Sequence, residues 1–226
     1  MKLKNIGKEK KRVAIVNLNK IRNEILSEAK PYVIKYGWSE EMFKKLAKDS
    51  KFDSYTILSL FPDGYVSLTQ LYLDEINNYM TEKSKKLNFI RLKVHERIRE
   101  LCILRFSIMQ KEKKVINKTF FYLLLPNNYN FCLRNLYKTV DQIWYLAGDS
   151  STDFNFYSKR AILASIYSTT LLHFVNNNNF DETINLLNKQ LKRVSKIPKI
   201  KERFDDFLKL APHLIKIRKK FNFTKQ

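Results

Sequence analysis

The residues able to do chemistry are few and scattered. His95, His173 and His213 fall on three separate helical stretches, each without a second ligand one turn away. No HExxH, paired CxxC, ExxH, GxSxG or glycine-rich phosphate loop occurs. No catalytic residue, metal ligand or cofactor is therefore assigned. His95-Glu96 reads as a solvated or helix-capping pair. Cys102 and Cys132 lie far apart and read as small buried hydrophobes of a reducing compartment. One stretch stands out, from Asp141 to Arg160, and its chemistry is recognition. It reads as a helix–loop–helix corner: Gly148 closes the first helix, and Thr152 or Asp153 caps the second. Trp144, Tyr145, Phe154, Phe156 and Tyr157 surround it, and aromatics beside Asp and Arg are the materials of a protein-binding hot spot. Trp144 and Phe154 read as core; Phe156, Tyr157 and Arg160 suit either core or surface.

The elements that position this corner are helical. With only 4 Gly and 5 Pro in 226 residues, the chain lacks the breakers that a many-turned β fold needs. Ile21, Ile25, Leu26, Ala29, Val33 and Tyr36 share one helical face, ended by Gly37. Ser39 caps a second helix with Met42, Phe43, Leu46 and Ala47 inward, and Asp53 caps a short third helix ending at Phe61-Pro62. The three together look like a helix-turn-helix. Longer helices are expected over 68–80, 90–109, 115–125, 131–147, 154–174, 180–194 and 200–221. The run Phe120 to Leu125 is continuously apolar and is expected inside; Pro126 ends it. The fold class is all-α and TetR-like: a small N-terminal helix-turn-helix three-helix module followed by a longer helical bundle. The expected domains are a basic flexible arm (1–17), the helix-turn-helix-like module (18–62), a helical bundle (63–198) and a basic amphipathic C-terminal helix (199–226).

The net charge of +21 favours nucleic acid, an anionic membrane or an acidic protein as partner, although a sequence crowded with Lys, Asn and Ile also fits AT-rich coding. No apolar run spans a bilayer and no signal peptide follows the basic N-terminus, so the expected address is the cytoplasm, peripheral on the inner face of a bacterial membrane.

Trp144 to Arg160 follows the pattern W-x-x-A-G-D-x-S-T-D-x-N-[WF]-Y-[TS]-x-R, and Leu163-Ala164-Ser165-Ile166-Tyr167-Ser168-Thr169-Thr170 follows L-A-x-I-Y-x-x-T. Shorter matches are Ala29-Lys30-Pro31-Tyr32-Val33 with Gly37-Trp38, Leu60-Phe61-Pro62, and His95-Glu96-Arg97-Ile98-Arg99. In these residues, from about Ile21 to Val194, the chain resembles the lipid-binding accessory protein family of ubiquinone (coenzyme Q) biosynthesis, the ninth-numbered coenzyme Q protein. The resemblance implies a TetR-like fold that no longer serves transcription. It also implies a non-enzyme that binds an isoprenoid quinone precursor or phospholipid and presents it to the di-iron demethoxyubiquinone hydroxylase. The family's partner patch maps onto Asp141, Ile143, Leu146, Asp153, Phe156, Tyr157 and Arg160. Phe156 stands where the family usually has Trp, so an indole N–H is lost there. The family's membrane-contacting C-terminal helix maps onto 208–221, with Leu208, Ile215, Lys216 and Phe221 in contact and Pro212 as an internal kink. A homodimer is expected.

A hollow apolar bundle can bury a prenyl tail that cannot leave a bilayer unaided. The expected lining is Leu71, Phe106, Phe120, Leu124, Leu136, Tyr137, Ile166 and Leu171. The rival reading is a TetR-type DNA-binding transcriptional regulator, which the charge and the helix-turn-helix favour. Its reading helix, Asp53 to Phe61, carries no Lys or Arg and starts with an acid, so DNA is not an expected partner.

Overall fold

The computed structural model describes residues 2–149 and 154–195. Among them it has nine α-helices, one short 3₁₀ turn and no strand. The chain divides into two compact units, Met1–Gly148 and Asp149–Gln226. The helix-turn-helix module packs into the same unit as the first bundle helices.

In the first unit, α1 runs Lys2–Tyr36. The stretch expected as a flexible arm is thus continuous with this helix, as its many Lys, Arg, Glu and Leu residues permit. Ile25, Leu26, Ala29 and Val33 are fully buried along its inner face. Gly37, at φ 69°, ends it in the left-handed conformation while its N–H bonds Val33 O at 2.8 Å. Helix α2 (Glu40–Asp49) is capped by Ser39, whose hydroxyl accepts from Met42 N at 3.2 Å, and it buries Met42, Phe43 and Leu46. Helix α3 (Ser54–Leu60) is capped by Asp53 through Thr56 N at 2.9 Å and buries Ile57. The helix-turn-helix thus forms as expected.

Helices α4 (Tyr65–Ser84), α5 (Val94–Gln110), α6 (Lys113–Leu123) and α7 (Tyr129–Leu146) complete this unit, with a 3₁₀ turn at Pro126–Asn128. Helix α5 starts four residues later than expected. Glu96 sets that start, its carboxylate accepting from Lys93 N at 2.7 Å. The capping reading of His95-Glu96 holds for the glutamate.

Three polar links fasten the helix-turn-helix to the bundle and the bundle helices to each other. Trp38 Nε1 donates to Thr119 Oγ1 at 2.9 Å in the interior. Lys30 Nζ bridges Glu75 at 3.1 Å and Glu112 at 2.7 Å. Arg105, only 3% exposed, donates to Asn77 Oδ1 at 2.6 Å and Thr139 Oγ1 at 3.1 Å, joining α5 to α4 and α7. A buried guanidinium needs such acceptors, because desolvation without them costs several kcal/mol.

One expectation fails here. The end of α6 is not interior: Phe121, Leu124 and Leu125 are 56%, 58% and 53% exposed. Helix α6 turns Val115, Ile116, Thr119 and Tyr122 inward, which puts Phe121 on the outer face. Leu124 and Leu125 lie beyond the helix, before Pro126 redirects the chain.

In the second unit, α8 (Phe154–Asn176) and α9 (Phe180–Ser195) pack as an antiparallel pair. Leu163, Ile166, Tyr167, Phe174 and Leu187 are buried, and Asn179 caps α9 through Asp181 N at 3.0 Å. The expected caps Thr152 and Asp153, and the expected helix over 200–221, lie outside the described residues.

Candidate partner-binding and lipid-binding surfaces

The start of the second unit is organised around one carboxylate. Asp149, its side chain 5% exposed, accepts from Lys159 Nζ at 2.8 Å and from the Arg160 guanidinium at 3.4 Å. Arg160 also donates to Phe156 O at 3.2 Å, and its guanidinium carbon sits 3.3 Å from the centre of the Phe156 ring. The Phe156 and Tyr157 rings meet edge to face at 5.2 Å. Arg160 is thus sandwiched between an acid and an aromatic plane, both of which a planar cation suits. The outcome is a stiff knot that leaves Tyr157 64% exposed.

The knot sorts the partner-patch residues. Tyr157 is open to a partner and Phe156 is half-buried behind it. Arg160 is buried, at 6% exposure, so in this conformation it braces Phe156 and is not itself a contact. Asp153 lies outside the described residues. In the first unit, α7 carries the other three. Asp141 and Leu146 are half-buried, whereas Ile143 is fully buried and belongs to the core. Ile143 is inward because it shares a helical face with Thr139 and Val140. Tyr145, two residues on, is 75% exposed; it stands among the aromatics of the corner but outside the expected patch. Asp149 and Lys159 were missed as well, since nothing in their spacing reveals that they share a knot.

The expected lipid lining divides similarly. Phe106 is fully buried and Leu71, Phe120 and Leu136 are half-buried in the first unit. Leu124 and Tyr137 are 58% and 49% exposed and line no interior there. Tyr137 sits on the outward side of α7 and Leu124 just past the end of α6, placements that apolar composition does not encode. In the second unit Ile166 is buried and Leu171 half-buried. A cleft of about 220 Å³ opens in the first unit beside Lys30, Tyr72, Glu75, Tyr79, Met109 and Glu112. It is smaller than ordinary ligand pockets, roughly 300–1,000 Å³, and its ion pairs suit no prenyl tail.

The thiols are quiet. Burial pushes the Cys102 thiol up to about 12, and burial raises Cys132 too, so neither is a nucleophile at neutral pH. Among the described residues no group of three His, Cys, Asp or Glu side chains is placed to hold a metal ion.

Residues 129–198, which include α7, the knot and both helices of the second unit, match the COQ9 family model. The chain is 30% identical over 182 residues to the bovine "Ubiquinone biosynthesis protein COQ9, mitochondrial", an alignment covering 76% of this chain and 56% of that one. It is 30% identical over 161 residues to the human protein of the same name, covering 67% and 50%, and 26% identical over 169 residues to a Dictyostelium discoideum relative, covering 72% and 55%. This chain is a COQ9 relative. It spans about half the length of the curated COQ9 proteins it matches. In fold it resembles the TetR transcriptional regulator from Nitrosomonas europaea, with a TM-score of 0.66 at 16% identity, over 79% of this chain and 99% of that one. The TetR-like, all-helical expectation therefore holds. The matched stretch contains the knot residues Asp149, Phe156, Tyr157 and the buried Arg160.

Proposed function

We propose that this chain acts in ubiquinone biosynthesis as a non-catalytic accessory protein. It binds an isoprenoid quinone precursor and presents it to the demethoxyubiquinone hydroxylase through the surface that displays Tyr157. The observation that carries this reading is the coincidence of the COQ9-matched stretch with the Asp149–Phe156–Arg160 knot. A stiff, partly buried base under one exposed aromatic is what a hot spot needs, since a pre-ordered anchor loses little entropy on binding.

The lipid role rests on the family likeness and on simple solubility: a prenylated ring cannot reach a head-group enzyme without a protein to shield its tail. The chain works as a homodimer on a membrane surface, which residues 208–221 help to engage. No helix among the described residues is long and apolar enough to cross a membrane. The repressor alternative meets an obstacle in α3, whose outward residues Tyr55 and Leu58 are uncharged.

Mass spectrometry of organic extracts tests the proposal, on protein purified from a ubiquinone-making bacterium. A co-purified prenylated quinone precursor is the expected result. Protein free of prenyl lipid that still captures the hydroxylase would reduce the chain to an adaptor; tight, sequence-selective DNA binding at physiological salt would replace the proposal with the regulator.

A further inference from the structure

We infer that the corner joining α6 to α7 is a membrane-docking surface that seats on anionic lipid. It uses neither Tyr157 nor residues 208–221. Phe121, Leu124 and Leu125 are followed, past the Pro126–Asn128 turn, by Tyr129, and Leu133 and Tyr137 succeed it at four-residue intervals along the outer face of α7. All six are between 44% and 63% exposed. Large apolar side chains scattered singly on a surface need no explanation, but a run joined by chain connectivity marks a surface meant to be covered.

The charges around it identify the cover. Between Lys113 and Val140 the sequence holds five cations, Lys113, Lys114, Lys118, Arg134 and Lys138, and no acid. Lys114 and Lys118 are exposed and share the helical face of Phe121, one and two turns before it. Arg134 is exposed next to Leu133. Lys138 is held by Asp74 at 2.6 Å. Apolar and aromatic residues at a tip, tyrosines beside them and cations one turn behind are the arrangement of interfacial anchors. The tip enters the head-group region, and the flexible cations reach lipid phosphates. A second copy of the chain fits this face less well, because self-association would bring like charges together.

The corner is stiff enough to insert as a unit. Asn128 Nδ2 donates to Tyr122 O at 2.8 Å and Asn128 N to Leu125 O at 2.9 Å, closing the turn. Tyr122 packs edge to face between Tyr65 and Phe131, at 6.0 and 6.4 Å, and roots the tip in the core. Docking here places one end of the first unit on the bilayer independently of whether a lipid is carried, so this surface and the carrier reading can fail separately.

The test uses the full chain with vesicles of phosphatidylcholine, with and without phosphatidylglycerol. The wild type should sediment with the anionic vesicles and be released by high salt. Leu124→Ser with Leu125→Ser should weaken vesicle binding about tenfold or more while the thermal midpoint moves little, because both side chains are more than half exposed in the free protein. Lys114→Glu with Lys118→Glu should abolish the preference for the anionic lipid, each removed cation being worth about fivefold. As an independent readout, Leu125→Trp should be quenched by brominated acyl chains beyond the Trp38 and Trp144 background. Undiminished binding by the serine pair, or no added quenching of the new Trp on vesicles that the protein still binds, would assign membrane contact elsewhere and overturn the inference. So would a chain that binds no vesicles, or a serine pair that loses a homodimer and keeps its vesicle affinity.

Discussion

Replacing Arg160 by Met keeps the volume of the side chain over Phe156 and removes only its charge and its donors. The Asp149 and Arg160 side chains are 5% and 7% exposed, so their attraction is little screened. Breaking a buried pair by deleting one partner costs about 3–5 kcal/mol, because the other charge stays behind in low dielectric. Asp149 keeps a second partner here: Lys159 lies 2.8 Å away with its own side chain 38% exposed. The expected loss therefore falls below that range, at about 2–3 kcal/mol, which lowers the thermal midpoint by roughly 4–12 °C in a chain of this length. Tyr157→Ala is the control. That ring is 64% exposed, so its removal should shift stability by no more than about 0.5 kcal/mol. If it is the anchor of a partner surface, however, hydroxylase affinity should fall about thirtyfold, the equivalent of about 2 kcal/mol. Urea unfolding followed by circular dichroism gives the first quantity and calorimetric titration with the hydroxylase gives the second. Arg160→Met within about 0.5 kcal/mol of wild type would refute the brace, and Tyr157→Ala at full affinity would refute the anchor. Reversed outcomes, with Arg160→Met folded but non-binding and Tyr157→Ala unstable, would mean that Arg160 swings out to touch the partner.

The other predictions concern what holds the first unit together. Asn77→Ala removes an acceptor of the buried Arg105 guanidinium, at 2.6 Å, and should cost about 2–3 kcal/mol; against an Arg105→Met background the same change should cost under about 1 kcal/mol, which a double-mutant cycle measures. Trp38→Phe breaks the bond to Thr119 and should destabilise by about 1–3 kcal/mol, seen as earlier unfolding in urea. Ser39→Ala deletes the α2 cap and should cost about 1 kcal/mol by the same measurement. Burial pushes the Lys30 ammonium down, but Glu112 and Glu75 together outweigh it and hold it above its ordinary 10.5. The sign follows: its contribution is full below pH 10.5 and lost as pH rises through the higher folded value. Alkaline titration of stability should show this loss in the wild type and less of it in Lys30→Met.

The helices of this chain were legible because a 3.6-residue period is carried by many residues at once, so a single misread position cannot hide it. Ile25, Leu26, Ala29 and Val33 all turned inward as their spacing required. The caps at Ser39 and Asp53 and the stop at Gly37 were local enough to be read from neighbours. The candidate site was legible only in outline. Burial of Arg160 depends on an acid eleven positions away and an aromatic plane one turn back, and neither spacing distinguishes a brace from a contact.

The misreading at the end of α6 has a more instructive cause. Phe120 to Leu125 is apolar without interruption, and a continuous run contains no phase information. It names no inner face and so invites the inference that every face is inner. The phase lies upstream, in Val115, Ile116 and Thr119, and extrapolating it would have turned Phe121 outward. An apolar side chain pointing away from the core, followed by more after the helix has ended and preceded by lysines on the same side, is a pattern that folding alone does not need. Folding would tolerate polar residues at Phe121, Leu124 and Leu125 at little cost, since each is more than half exposed. Their apolar character is therefore explained by what meets the surface, and the absence of any acid between Lys113 and Val140 says that what meets it is anionic.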